Sequence, residues 1–156
     1  MWLSRQKRIR SSNQLEALKQ AYEQTDYWVF APSGTFCLRI GERSAKLAQC
    51  YRESQLNSAA LVTACNPWHR RTDNADNLLT TDRLRVTLES LTQDVFDATN
   101  RSVDIKWPEE PSFLALGISR SKALRIAQEY KQNAVLWADS DAVPHLLWSW
   151  ALPISG

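Results

Sequence analysis

Glycine is scarce in this chain, four residues in 156, and none of them sits in a Gly-rich turn of the kind that cradles phosphates. A Walker-type nucleotide site is therefore excluded. Histidine is scarcer still, and two scattered histidines do not make a zinc site. Cys37, Cys50 and Cys65 share no metal-ligand spacing, and an odd number of cysteines points to free, packed thiols in a reducing compartment. Asp73, Asp76 and Asp82 lack the glycine and terminal glutamate of a calcium loop, so helix capping accounts for them better. No metal and no cofactor is expected. No apolar run approaches the roughly 18–20 residues that cross a bilayer. Arg5, Lys7, Arg8 and Arg10 break up the N-terminal stretch where a signal peptide needs an apolar core. The expectation is a cytoplasmic protein with no membrane partner.

What is present fits a single globular domain over 1–156: 44% hydrophobic and 23% charged residues, with length enough for a real core. The net charge of +2 is unevenly placed. Residues 1–10 hold four of the 19 basic residues and no acid, which leaves 15 bases against 17 acids, or −2, for the remainder. A slightly acidic body disfavours nucleic acid as a partner. Residues 1–12 are expected to form a flexible, solvated basic arm, phosphate contact being the alternative. Of seven tryptophans, Trp28, Trp107 and Trp137 border predicted strands and are expected to pack, while Trp148 and Trp150 alternate near the C-terminus.

Hydrophobic spacing predicts the elements. Leu15, Leu18 and Tyr22 mark a helix over 13–24, with Asn13 as its cap. Strands at 27–30 and 36–40 flank the turn Pro32-Ser33-Gly34. Leu47, Ala48 and Tyr51 mark a helix over 43–53. The apolar run from Ala59 predicts a strand over 59–65, stopped by Asn66-Pro67. Leu84, Leu88, Leu91 and Val95 give a long helix over 76–94, capped by Asp76 or Asn77. A strand over 103–107, a turn over 107–112, a strand over 113–118, a helix over 120–131 capped by Ser119, and a strand over 134–138 follow, with 143–148 as an edge.

From residue 59 the order is strand, helix, strand, strand, helix, strand. It predicts an α+β fold with a mixed/antiparallel sheet and a ferredoxin-like βαββαβ core (59–138), preceded by a helix, a β-hairpin and a second helix. In that topology the loop 66–77, the turn 107–112 and the pair Gln132-Asn133 converge on one rim.

Ala21-Tyr22, Thr25, Tyr27, Thr63-Ala64, Asn66-Pro67, Asn77, Trp107-Pro108-Glu109-Glu110, Ser112, Leu116-Gly117-Ile118, Ala123, Ala127, Tyr130 and Gln132-Asn133-Ala134 form an ordered set across most of the chain. In this set the chain resembles the bacterial family known as domain of unknown function 3293. It departs at Cys65, where an aromatic residue is expected, and at Pro111, which replaces a polar residue before Ser112. The resemblance implies a bacterial source and no known activity.

On the rim, Asn66 precedes proline and is expected to be extended, its amide bonding either the loop backbone or a ligand. Glu110 with His69 could serve as an acid–base pair, or Glu110 could simply be a solvated turn residue. Cys65 with His69 as base could be a nucleophile, or a small packed side chain. Arg70 and Arg71 beside Trp68, near a helix start at Asn77, suggest a corner for a phosphate or carboxylate; the alternative is a solvated pair under a Trp that covers the sheet edge. With Ser112 and Gln132 these are the ligand-binding candidates. Two functions follow: a non-catalytic binding or regulatory module holding a protein partner or a small anionic ligand on the rim, or a small enzyme in which Glu110 and His69 act on an anion held by the arginines.

Overall fold

The computed structural model describes residues 12–67, 70–104 and 106–151. Trp68, His69 and most of the basic arm lie outside the described residues.

Helix α1 spans Ser12–Glu23, and the hairpin β1 (Asp26–Ala31) and β2 (Gly34–Leu38) follows. Helix α2 is Ala45–Ser54, opened by Ser44, whose side chain accepts from Leu47 N. Next come β3 (Ala59–Val62), α3 (Asn74–Leu91), β4 (Val95–Arg101), β5 (Glu110–Leu116), α4 (Arg120–Glu129), β6 (Ala134–Ala138) and β7 (Pro144–Trp148), then a short 3-10 turn, Ser149–Ala151. The fold is α+β. Its seven strands make one sheet in the order β2-β1-β4-β5-β3-β6-β7, and every neighbouring pair is antiparallel.

Alternation along the strands gives the sheet two buried faces. On one, Tyr27, Val29, Leu61, Leu114 and Leu136 pack with Leu47 and Tyr51 of α2. On the other, Val62, Phe113 and Val135 pack with Leu84 and Leu88 of α3 and with Ile126 and Ala127 of α4. Helices therefore cover both faces. Beyond β2, Gly41 N donates to Pro144 O at 2.8 Å and Ser44 N to Ala142 O at 2.9 Å. These bonds draw the two outer strands together, and the sheet curls around α2.

Several expectations need correction. The strand expected at 103–107 lies at Val95–Arg101. Ser102 Oγ accepts from Asp104 N at 3.1 Å and Asp104 Oδ1 from Lys106 N at 3.0 Å, so short polar side chains capture the amides a ladder would need. Val95 thus belongs to β4 and not to the helix, which ends at Leu91; Thr92 turns extended (φ −154°, ψ 152°) and its Oγ1 accepts from Asp94 N. The long helix also starts earlier, because Asp73 is its cap and accepts from Ala75 N at 3.0 Å. Asn13 lies inside α1. Finally, Glu110, Pro111 and Ser112 are not a turn. They are the first residues of β5, opposite Asn100, Thr99 and Ala98 of β4.

Candidate functional site

Beyond the C-terminal end of β3 the chain makes a tight knot around Asn66. Its backbone has φ +47°, a left-handed conformation that asparagine tolerates, in place of the extended one expected before proline. In this conformation Asn66 makes a set of bonds with the loop, α3 and β5. Asn66 N donates to Asn77 Oδ1 at 2.9 Å, and Asn66 Oδ1 accepts from Thr72 N at 2.8 Å and from Asn77 Nδ2 at 3.1 Å. Asn66 Nδ2 donates to Glu110 Oε2 at 2.5 Å. Asn77 is thus a brace for the loop and not a cap.

Glu110 opens β5 and so stands on a rigid strand. Its Oε2 also accepts from Trp107 Nε1 at 3.3 Å. Burial raises its carboxyl above the ordinary value near 4.5, and the bonds from Asn66 and Trp107 pull it partly back.

Gln132 arrives by a helix ending. Lys131 takes φ +56°, Lys131 N donates to Gln128 O at 3.1 Å, and Gln132 N donates to Ala127 O at 2.8 Å. This is the Schellman pattern with a lysine where glycine is usual. It turns Gln132 inward, where Nε2 donates to Cys65 O at 3.0 Å and to Tyr130 O at 3.3 Å.

These groups share one cavity of about 70 Å³, walled by the sheet and by α1. Asn66, Trp107, Glu110 and Gln132 line it from the expected rim, as do Thr63 and Cys65. Leu18, Ala21 and Tyr22, each half-buried, close it from α1. Two bonds tie α1 to the start of β1: Thr25 Oγ1 donates to Ala21 O at 2.7 Å and Tyr27 OH to Tyr22 O at 2.8 Å. The Tyr22 ring also meets Trp148 edge-on, with centroids 5.9 Å apart. Burial, and then the Glu110 charge, push the Tyr22 phenol up. Tyr27 is raised by burial first, then by Tyr22 and Glu110.

The remaining candidates lie elsewhere. Ser112 is buried, its Oγ donating to Asn100 Oδ1 at 2.8 Å, and it does not line the cavity. Arg70 and Arg71 are exposed and stand outside the lining; Arg71 Nη1 reaches Lys106 O at 3.4 Å, with its guanidinium 6.0 Å from the Trp107 ring centroid. Trp68 and His69 lie outside the described residues, so neither the Glu110–His69 pair nor the Cys65–His69 pair has a described geometry. Cys65 itself is buried beside Thr81 Oγ1 at 3.6 Å, and burial pushes its thiol up, which suits a packed side chain. Among the described residues no group of three or more Cys, His, Asp or Glu could hold a metal ion.

Sequence reasoning overlooked Tyr22, Thr25, Tyr27, Thr63, Asn100 and Ser102 as lining groups. The signal lay in the resemblance, where Tyr22, Thr25, Tyr27 and Thr63 stood in the same ordered set as Asn66 and Glu110.

No curated protein and no solved structure matches the chain. Residues 62–135, which supply Cys65, Asn66, Trp107, Glu110 and Gln132 to the cavity, match the family described as "Protein of unknown function (DUF3293)", and it is this family that the chain resembles.

Proposed function

We propose that the protein is a non-catalytic binding or regulatory module that holds a small molecule in the rim cavity. The observation that carries this reading is Glu110: a carboxylate fixed on a strand and held by Asn66 and Trp107 in a concave site walled by α1. Asn66 and Gln132 also satisfy backbone groups, so the rim braces the fold as well as lining the site. The reading extends to a ferredoxin-like core over 59–138. Its support is the run β4-β5-β3-β6 in the sheet, with α3 and α4 on one face. It also extends to a bacterial cytoplasm, supported by the family resemblance and by three unpaired thiols.

A thermal-shift screen of the purified chain with nucleotides, sugar phosphates, organic acids, amines and divalent metals tests it. A ligand at about 100 times its dissociation constant adds roughly 2.7 kcal/mol. The shift should vanish in Tyr22→Ala, which opens the cavity wall, and survive in Arg70→Ala/Arg71→Ala. The reverse pattern would overturn the cavity as the site.

A small enzyme with Glu110 as its acid–base group is the second reading. What favours it is the raised carboxyl in a concave site. Turnover of a screening hit, lost in Glu110→Gln, would establish it.

A further inference from the structure

The cavity is rich in hydrogen-bond acceptors. Three of its hydroxyls have spent their protons on the protein: Thr25 on Ala21 O, Tyr27 on Tyr22 O, and Thr63 on Pro111 O; the hydroxyls of Tyr22 and Ser102 and the amide of Asn100 also line it. Their oxygens are left as acceptors. Gln132 has spent its Nε2 donors on Cys65 O and Tyr130 O, and its Oε1 accepts nothing among the described residues. The amide of Asn66 and the indole N–H of Trp107 both point at Glu110 Oε2. Among the described residues Glu110 Oε1 accepts no bond and Glu110 makes no ion pair. No Lys, Arg, His or Asp is among the described residues that line the cavity, so Glu110 is the one acidic or basic side chain among them. A carboxylate with no basic side chain among the described lining residues disfavours an anion and leaves the charged form without a counter-charge.

Resting on the binding reading above, we infer that the cavity takes the primary ammonium group of a small amine, with Glu110 as its counter-ion and the rings of Tyr22 and Tyr27 beside it. An ammonium is a compact charge with three donors, which suits one free carboxylate oxygen among scattered acceptors. A guanidinium fits less well, because its fork needs both carboxylate oxygens and Oε2 is already doubly occupied. Aromatic walls add cation–π attraction. A volume of about 70 Å³ holds about five to seven water-sized groups, the scale of a four-carbon amine.

The test uses three probes of one size and different charge: n-butylammonium, n-butyrate and n-butanol, at matched ionic strength. The readouts are the melting temperature and the Trp107 indole N–H cross-peak, assigned with Trp107→Phe. The amine should raise the melting temperature and move that peak. Butyrate and butanol should do neither, and Glu110→Gln should lose about tenfold or more of the amine affinity. Should Glu110→Gln not fold, the pH profile decides, measured on His69→Gln so that this imidazole does not contribute. Tyr22, Tyr27 and Cys65, the titratable groups facing Glu110, are all held neutral by raised values. Amine affinity should fall as the pH is lowered and Glu110 takes up a proton. A flat or opposite profile, equal binding of butyrate or butanol, full affinity in Glu110→Gln, or no response to the amine each overturns the inference. A non-cationic hit from the broad screen that is lost in Tyr22→Ala overturns it too, while leaving the binding reading in place.

Discussion

Asn66 and Glu110 stand 44 residues apart in the chain and 2.5 Å apart through Nδ2 and Oε2. The same amide holds Thr72 N and Asn77 Nδ2 through its oxygen, so one buried side chain joins β5 to the loop after β3 and to the first turn of α3.

Replacing Asn66 with Ala removes all three partners and leaves alanine at φ +47°. Lost buried bonds and left-handed backbone together should cost about 2–4 kcal/mol. Urea denaturation of the variant and the wild type checks this. A loss under about 1 kcal/mol would mean that water replaces the bonds without cost.

Glu110 gives stability a definite dependence on pH. Its folded-state value lies above the ordinary one near 4.5 because burial penalises the charge. Below that ordinary value the carboxyl is protonated in both states and its contribution is fully present. The contribution is lost as pH rises through the folded-state value, where the folded chain binds more protons than the unfolded one. The stability difference between wild type and Glu110→Gln should therefore be largest near pH 4 and shrink as the pH rises above the ordinary carboxyl value. Denaturation curves at both ends give the sign directly, and a difference that grows with pH would contradict burial as the dominant cause.

Lys131 holds a left-handed conformation at the end of α4, where a side chain costs energy and glycine does not. Lys131→Gly should stabilise the chain by about 0.5–1 kcal/mol without moving Gln132. A rise in melting temperature with unchanged Trp107 and Gln132 side-chain signals is the expected outcome.

The three thiols should differ in reactivity. Cys37 is half-buried, whereas Cys50 and Cys65 are each 3% exposed, and burial raises all three above the ordinary thiol value. A disulfide reagent at mildly alkaline pH should label Cys37 first, and the other two only on unfolding. Rapid labelling of Cys65 in the native protein would show that the cavity wall opens at that point.

Much of the element order was legible from hydrophobic spacing, because Leu84, Leu88, Ala123 and Ile126 do face a core at helical intervals. The convergence of Asn66, Glu110 and Gln132 was legible from topology alone. Several features were not. The position of β4 depended on whether Ser102 and Asp104 would capture backbone amides, and a pattern of apolar residues carries no record of that. Asn77 resembles a cap by composition, yet Asp73 starts the helix and frees Asn77 to brace Asn66. The wall formed by α1 was the hardest to foresee: Tyr22 reads as a core residue on an amphipathic helix, and only the path of β1 beside β4 brings it over the cavity.

Strand β3 has only four residues, yet it lies between two partners that come much later in the chain: Ala59 faces Leu116 on one side and Ala138 on the other. The hairpins β1–β2, β4–β5 and β6–β7 pair neighbours in sequence and close short loops. Strand β3 belongs to none of them. During synthesis it must wait, wholly apolar and unpaired, until β5 has left the ribosome, and its other edge stays open until residue 138 follows. The strand that anchors the rim is thus also the segment most in need of protection while the chain is being made.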